Sequence, residues 1–140
     1  MFTGMEICMK VYYCRAMDGI NHSLISSEYA LVCKLLHTKG HQLVNDFSES
    51  SYEGLPMTIE NSKKVVDNNL TKLTESDVVI VNISLPNHSY IGCIGEMIYA
   101  KQMGLRVITI VGESGNDKHF WTLYHSDEIA YDLEEAINLI

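Results

Sequence analysis

Basic residues are scarce in this sequence: ten Lys and Arg stand against eighteen Asp and Glu, for a net charge of −8. The basic residues are scattered, which argues against a general binder of nucleic acid or of anionic membranes. Long apolar runs are missing as well. None approaches the roughly 20 residues that span a bilayer, and no basic start leads into an apolar signal core. Cysteine is limited to Cys8, Cys14, Cys33 and Cys93, without C-x-x-C spacing and mostly within apolar segments. They are expected to be reduced thiols of a cytoplasmic protein, so the sequons at Asn21, Asn69, Asn82 and Asn87 carry no meaning. The histidines show neither H-E-x-x-H nor another paired-ligand spacing, and no metal is expected. The glycine turns Gly92-Cys93-Ile94-Gly95 and Gly112-Glu113-Ser114-Gly115 match neither a P-loop nor a dinucleotide fingerprint, so no cofactor is expected either.

What is present is a globular chain of 140 residues, 46% apolar and 20% charged. It is long enough to bury a real core, has no repeats or linkers, and reads as a single domain over residues 1–140. Its organising stretch runs from Asp77 to Gly112. Val78 to Ile83 is a near-continuous apolar run, the mark of a strand buried on both faces. A loop with Pro86, Asn87, His88 and Ser89 follows, then a helix from about Ile91 to Met103, with Gly104 at its C-cap. Val107 to Val111 is a second β-branched strand. Strand, helix, strand at this spacing makes a βαβ crossover with parallel strands. Within its helix Glu96 is the only charged residue between Tyr90 and Ala100. A carboxylate on so apolar a turn is expensive to bury without a use.

The rest of the chain repeats the alternation. Ile7 to Cys14 reads as a first strand after a short lead, Met1 to Glu6. Asn21 or Ser23 can cap a helix to about Thr38, with Leu24, Tyr29, Val32, Leu35 and Leu36 on or near its inner face and Gly40 as its stop. His41 to Asp46 is a short second strand and Phe47 to Met57 a loop. Thr58 or Asn61 opens a helix to about Leu73, striped by Val65, Val66, Leu70 and Leu73. Glu113 to Lys118 reads as a loop, His119 to His125 as a short helix, Glu128 to Leu133 as a last strand, and Leu133 to Ile140 as a closing helix. The expected fold is α/β: a five-stranded parallel sheet with helices on both faces and ligands at the carboxyl ends of the strands.

Three blocks resemble one family. VYYCRAMDG at Val11 to Gly19, NNLTKLTESDVVIVNIS at Asn68 to Ser84, and GCIGEMIYAKQMGLRVITIVG at Gly92 to Gly112 are similar, in order and spacing, to the nucleoside 2-deoxyribosyltransferases and the related 2′-deoxynucleoside 5′-monophosphate N-hydrolases. The resemblance implies a flavodoxin-like domain and cleavage of the bond between deoxyribose and base. It also implies a homo-oligomer whose neighbouring subunits complete each site, with His119 to Tyr124 near the segment that reaches a neighbour. The partners would be a deoxynucleoside or deoxynucleotide and a nucleobase, without a nucleic acid polymer or a membrane.

The resemblance makes Glu96 the nucleophile and Tyr12 the tyrosine whose hydroxyl orients it. Such a carboxylate can trap the oxocarbenium-like sugar covalently. Read without the family, Glu96 is an early-helix residue that could pair with Lys101 or Arg106, and Tyr12 a half-buried strand aromatic. Asn69 stands where the family carries an aspartate that helps to bind or protonate the base. An amide can hydrogen-bond a base but has no proton to give. Asp18 or Asp46 could serve instead, whereas Asp67 faces another side of the helix. Arg15 could reach a phosphate, and Gly92 opens the small-residue turn. Ser89 falls near the position at which the hydrolases keep a serine for the 5′-phosphate and the transferases a carboxylate for the 5′-hydroxyl. The expected function is transfer of deoxyribose between bases; the alternatives are a nucleotide N-hydrolase and a non-catalytic nucleotide sensor. His88 is expected in solvent, and Trp121 and Tyr124 in a core or interface.

Overall fold

The computed structural model describes residues 7–47 and 54–140. Strands β1 (Lys10–Arg15), β2 (Gln42–Leu43), β3 (Val78–Asn82), β4 (Arg106–Ile110) and β5 (Glu128–Ala130) form one sheet. Its order is β2-β1-β3-β4-β5 and every pairing is parallel. Around it lie α1 (His22–Thr38), α2 (Ile59–Thr74), α3 (Ile91–Gln102), α4 (Phe120–His125) and α5 (Leu133–Asn138). This is the flavodoxin-like order, which reverses direction between β1 and β3.

Side-chain alternation along the strands splits the core in two. Val11, Tyr13, Val78, Ile80, Ile108 and Ile110 pack on one face with Tyr29, Val32 and Leu36 of α1 and Ala136 and Ile137 of α5. Tyr12, Cys14, Val79, Val81 and Val107 pack on the other with Leu73 of α2 and Cys93, Met97 and Ala100 of α3. Helices on both faces explain why β3 and β4 read as unbroken apolar runs. The βαβ crossover of β3, α3 and β4 stands as the sequence predicts, and Gly104 follows α3 at φ +78°.

Helix starts follow from side-chain caps. Asn21 Oδ1 accepts from Ser23 N at 2.8 Å, and Thr58 Oγ1 accepts from Asn61 N at 3.1 Å. Asp132 caps α5 by accepting from Glu135 N at 2.8 Å, while Glu135 reaches back to Tyr131 N at 3.1 Å. That cap ends β5 at Ala130, short of the expected Leu133. The second strand is shorter still than His41 to Asp46. After Leu43 the Asn45 side chain replaces the backbone ladder, accepting from Tyr13 N at 2.9 Å and donating to Tyr13 O at 2.6 Å. The first strand starts at Lys10 and leaves Ile7 exposed. The expected loop 113–118 contains a short 3-10 turn, Asn116–Lys118. The lead Met1 to Glu6 and residues 48–53 of the expected loop lie outside the described residues.

Several side chains depart from their expected places. Leu24 and Val66 are exposed and not on the inner faces of α1 and α2. Their helices bury a narrower stripe than the count of apolar residues suggests. Trp121 and Tyr124 are solvent-facing on α4, so neither is a core aromatic of the single chain. His88 is half-buried, its ring against Tyr90 at 5.3 Å. Among the described residues no helix is long and apolar enough to cross a membrane.

Candidate functional site

At the switch point the carboxyl end of β1, the residues that follow β2, the start of α3 and one face of α2 enclose a cleft of about 670 Å³. α1 leaves β1 on one face and α3 leaves β3 on the other, which opens the crevice between them. Tyr12 and Cys14 of β1 and Gly92, Cys93 and Glu96 of α3 line it. So do Arg15, Asp18 and Asp46 from the loops, Asn69 from α2 and Ser89 before α3. Every candidate substrate-contacting residue of the sequence therefore lines one cleft.

Glu96 lies in the second turn of α3 on the face that meets β1. Burial disfavours its charged form and pushes its carboxyl up to about 7, while a hydrogen bond with the Tyr12 hydroxyl pulls the other way. Tyr12, only 2% exposed, is itself raised by burial first and by the Glu96 charge second. Its hydroxyl therefore stays a donor. Glu96 Oε2 is buried and finds no hydrogen-bond partner among the described residues. A buried, unsatisfied carboxylate oxygen costs about 1–3 kcal/mol or more, so its retention calls for a ligand or a reaction. The pairings available to an ordinary helix Glu are taken elsewhere. Arg106 Nε bonds Glu128 Oε1 at 2.6 Å, and the Lys101 ammonium sits 4.8 Å over the Tyr124 ring.

Beside the carboxylate, a Cβ at Gly92 would come within 4.0 Å of Glu96 Oε1. Glycine there leaves the approach to that oxygen open. Cys14 and Cys93 are each 4% exposed and form the floor. A hydrogen bond with Cys93 and then burial push the Cys14 thiol up, so it stays neutral, a small apolar surface next to the acid.

Asn69 is half-buried, and Ser89, Asp18 and Asp46 are exposed at the cleft. Asp67 is exposed and away from it. Arg15 is less available than its position suggests: Nη1 lies 2.8 Å from Glu28 Oε2, and Nε donates to Ala16 O at 2.8 Å. Sequence reasoning missed Val65 and Lys72 as cleft residues. The signal was available, since Val65, Asn69 and Lys72 fall at i, i+4 and i+7 on one helix face. Reading Val65 as core apolar stripe hid it.

No family model matches the chain, and no curated relative matches its sequence. Solved structures do. The Clostridium botulinum CMP N-glycosidase BcmB superposes with a TM-score of 0.56 at 14% identity, over 93% of this chain and 95% of that one. A 2-deoxyribosyltransferase from Bacillus psychrosaccharolyticus superposes with a TM-score of 0.53 at 19% identity, over 83% of this chain and 90% of that one. The sheet order, the two-faced core and these superpositions together give the chain a flavodoxin-like fold of the kind seen in these two enzymes.

Proposed function

We propose that this chain cleaves the N-glycosidic bond of 2′-deoxyribonucleosides through a covalent Glu96 deoxyribosyl adduct and hands the sugar to another nucleobase. The observation that carries the reading is Glu96 itself: a buried carboxylate of the cleft lining, with Oε2 unpartnered among the described residues and Tyr12 hydrogen-bonded to the group. In the first step a carboxylate oxygen bonds to C1′ as the C1′–N bond breaks. In the second an acceptor takes C1′ and frees the carboxylate. Tyr12 orients the group and, through its hydrogen bond, favours the free carboxylate before attack and after release. The enzymes that share the fold support N-glycosyl chemistry in general: one is a CMP N-glycosidase, the other a 2-deoxyribosyltransferase.

A second reading, hydrolysis of 2′-deoxynucleoside 5′-monophosphates, is favoured by one observation. The segment Ser84 to Tyr90 brings Ser89 to the cleft and contains no Asp or Glu. A hydroxyl there can donate to a phosphate that a carboxylate would repel. In either reading the working form is a homo-oligomer with shared clefts, for which the exposed Phe120, Trp121 and Tyr124 of α4 offer an apolar face.

Incubation with deoxynucleosides and with their 5′-monophosphates, each with and without a free acceptor base, tests these readings. Base exchange on nucleosides supports transfer, and base release from monophosphates alone supports hydrolysis. Tight binding without release of any base would leave a nucleotide sensor and overturn both.

A further inference from the structure

Among the cationic side chains that line the cleft, Lys72 is the unclaimed one. Arg15 is held by Glu28, and Lys64 lies 3.7 Å from Glu60 on an exposed surface. No carboxylate among the described residues is within ion-pair distance of the Lys72 ammonium. Lys72 is half-buried in a chain of net charge −8, and it lines the cleft with Val65 and Asn69 of the same helix face. Helical side chains lean toward their own N-terminus. Because α2 follows β2 and precedes β3, that lean carries the Lys72 stem toward the carboxyl ends of the strands, where the cleft opens. It does not neutralise the nucleophile: Glu96 responds to burial and to Tyr12, with no ammonium contributing.

We propose that Lys72 holds the departing nucleobase as its anion beside Asn69, so that the cleft takes bases that leave carrying negative charge. This rests on the cleavage reading. When a Glu96 oxygen bonds to C1′, the electron pair of the C1′–N bond goes to the base nitrogen. The charge that began on the carboxylate ends on the base. In a pyrimidine it spreads to the ring carbonyl oxygens, which accept from the ammonium and from an amide N–H. Asn69 has no proton to give, so a fixed positive charge beside it stabilises the anion where a general acid would otherwise protonate it. When water or a second base takes the sugar, the proton it sheds neutralises the released anion. A partly desolvated ammonium is well suited to this, because its field is less screened than in bulk water.

The test is kcat/KM for the wild type, Lys72→Met and Lys72→Arg on deoxyuridine and its 5-fluoro analogue, each with and without a 5′-phosphate. The fluorinated base is the better anion and needs less help. Lys72→Met should lose about 100-fold on deoxyuridine and about tenfold or less on the fluoro analogue, and Lys72→Arg should recover most of the loss. A structural role would lower both substrates alike and would not be rescued selectively. An equal loss on the two bases, or none, overturns the inference while the wild type still cleaves. A wild type that releases neither base overturns the cleavage reading and the inference with it.

Discussion

Arg15 Nη1 lies 2.8 Å from Glu28 Oε2, the same oxygen that accepts from the Tyr13 hydroxyl at 2.9 Å. The side chains of this pair are only 12% and 27% exposed, and Asn82 Nδ2 donates to the Tyr13 hydroxyl at 2.8 Å. Glu28 thus ties α1 to the ends of β1 and β3 beside the cleft. Glu28→Ala leaves a partly buried guanidinium without its acceptor and should cost about 2 kcal/mol. Glu28→Gln keeps an acceptor and should cost less. Urea midpoints of the two variants check this, and equal losses would mean that charge rather than hydrogen bonding ties the elements together.

Glu96→Ala should abolish base release while the variant keeps the cooperative unfolding of the parent. Removing the nucleophile of a two-step displacement costs several orders of magnitude in rate. A folded variant with unimpaired turnover would end the covalent mechanism.

The raised carboxyl of Glu96 also sets a pH dependence. Burial lifts it from 4.5 to about 7, so folding favours the protonated form. The stability this group contributes is full below pH 4.5 and is lost as pH rises through 7. Glu96→Gln should therefore be more stable than the parent at pH 8, by about 3 kcal/mol at most, and nearly equal to it at pH 4. Attack needs the carboxylate, so kcat/KM should climb with pH and level off above about 7. Denaturant titrations at the two pH values and a rate profile read both effects; a Gln variant that gains nothing at pH 8 contradicts the buried, uncompensated charge.

Asn69→Asp should hold or raise activity, most clearly on bases that leave poorly without protonation, because a carboxylic acid can supply what an amide cannot. Initial rates over a series of bases decide it. A large loss on every base would show that the amide itself is required.

Ser89→Asp should weaken the use of monophosphates far more than that of nucleosides, if Ser89 meets the 5′ end of a phosphorylated substrate. The new carboxylate would repel the phosphate and accept from a free hydroxyl. The ratio of kcat/KM for the paired substrates is the readout, and equal effects on both would remove Ser89 from the site.

The parts of the fold legible in the sequence are those whose burial is two-sided or whose caps are local. Val78 to Ile83, Val107 to Val111 and the caps at Asn21 and Thr58 announce themselves because their causes are written within a few residues. The shortness of β2 was not legible, because it depends on Asn45 bonding to Tyr13, 32 residues away. The cleft followed from the strand order and from residues just past the strands. Lys72 escaped notice because it precedes β3 and does not follow a strand's carboxyl end; its place at the cleft comes from the helix face that it shares with Val65 and Asn69. The burial of Glu96 could be read from its apolar neighbours; the unpartnered Oε2 could not, since it depends on Lys101 and Arg106 being engaged elsewhere.

The two outer strands of the sheet have a consequence for how copies of the chain can meet. β2 spans Gln42–Leu43 at one edge and β5 spans Glu128–Ala130 at the other, and past Leu43 the Asn45 amide occupies Tyr13's backbone groups. Edges this short offer little template for a foreign strand. Runaway growth by strand addition, the route to fibrils, is thereby discouraged, and assembly is left to helices and their side chains, where contact can be finite and selective.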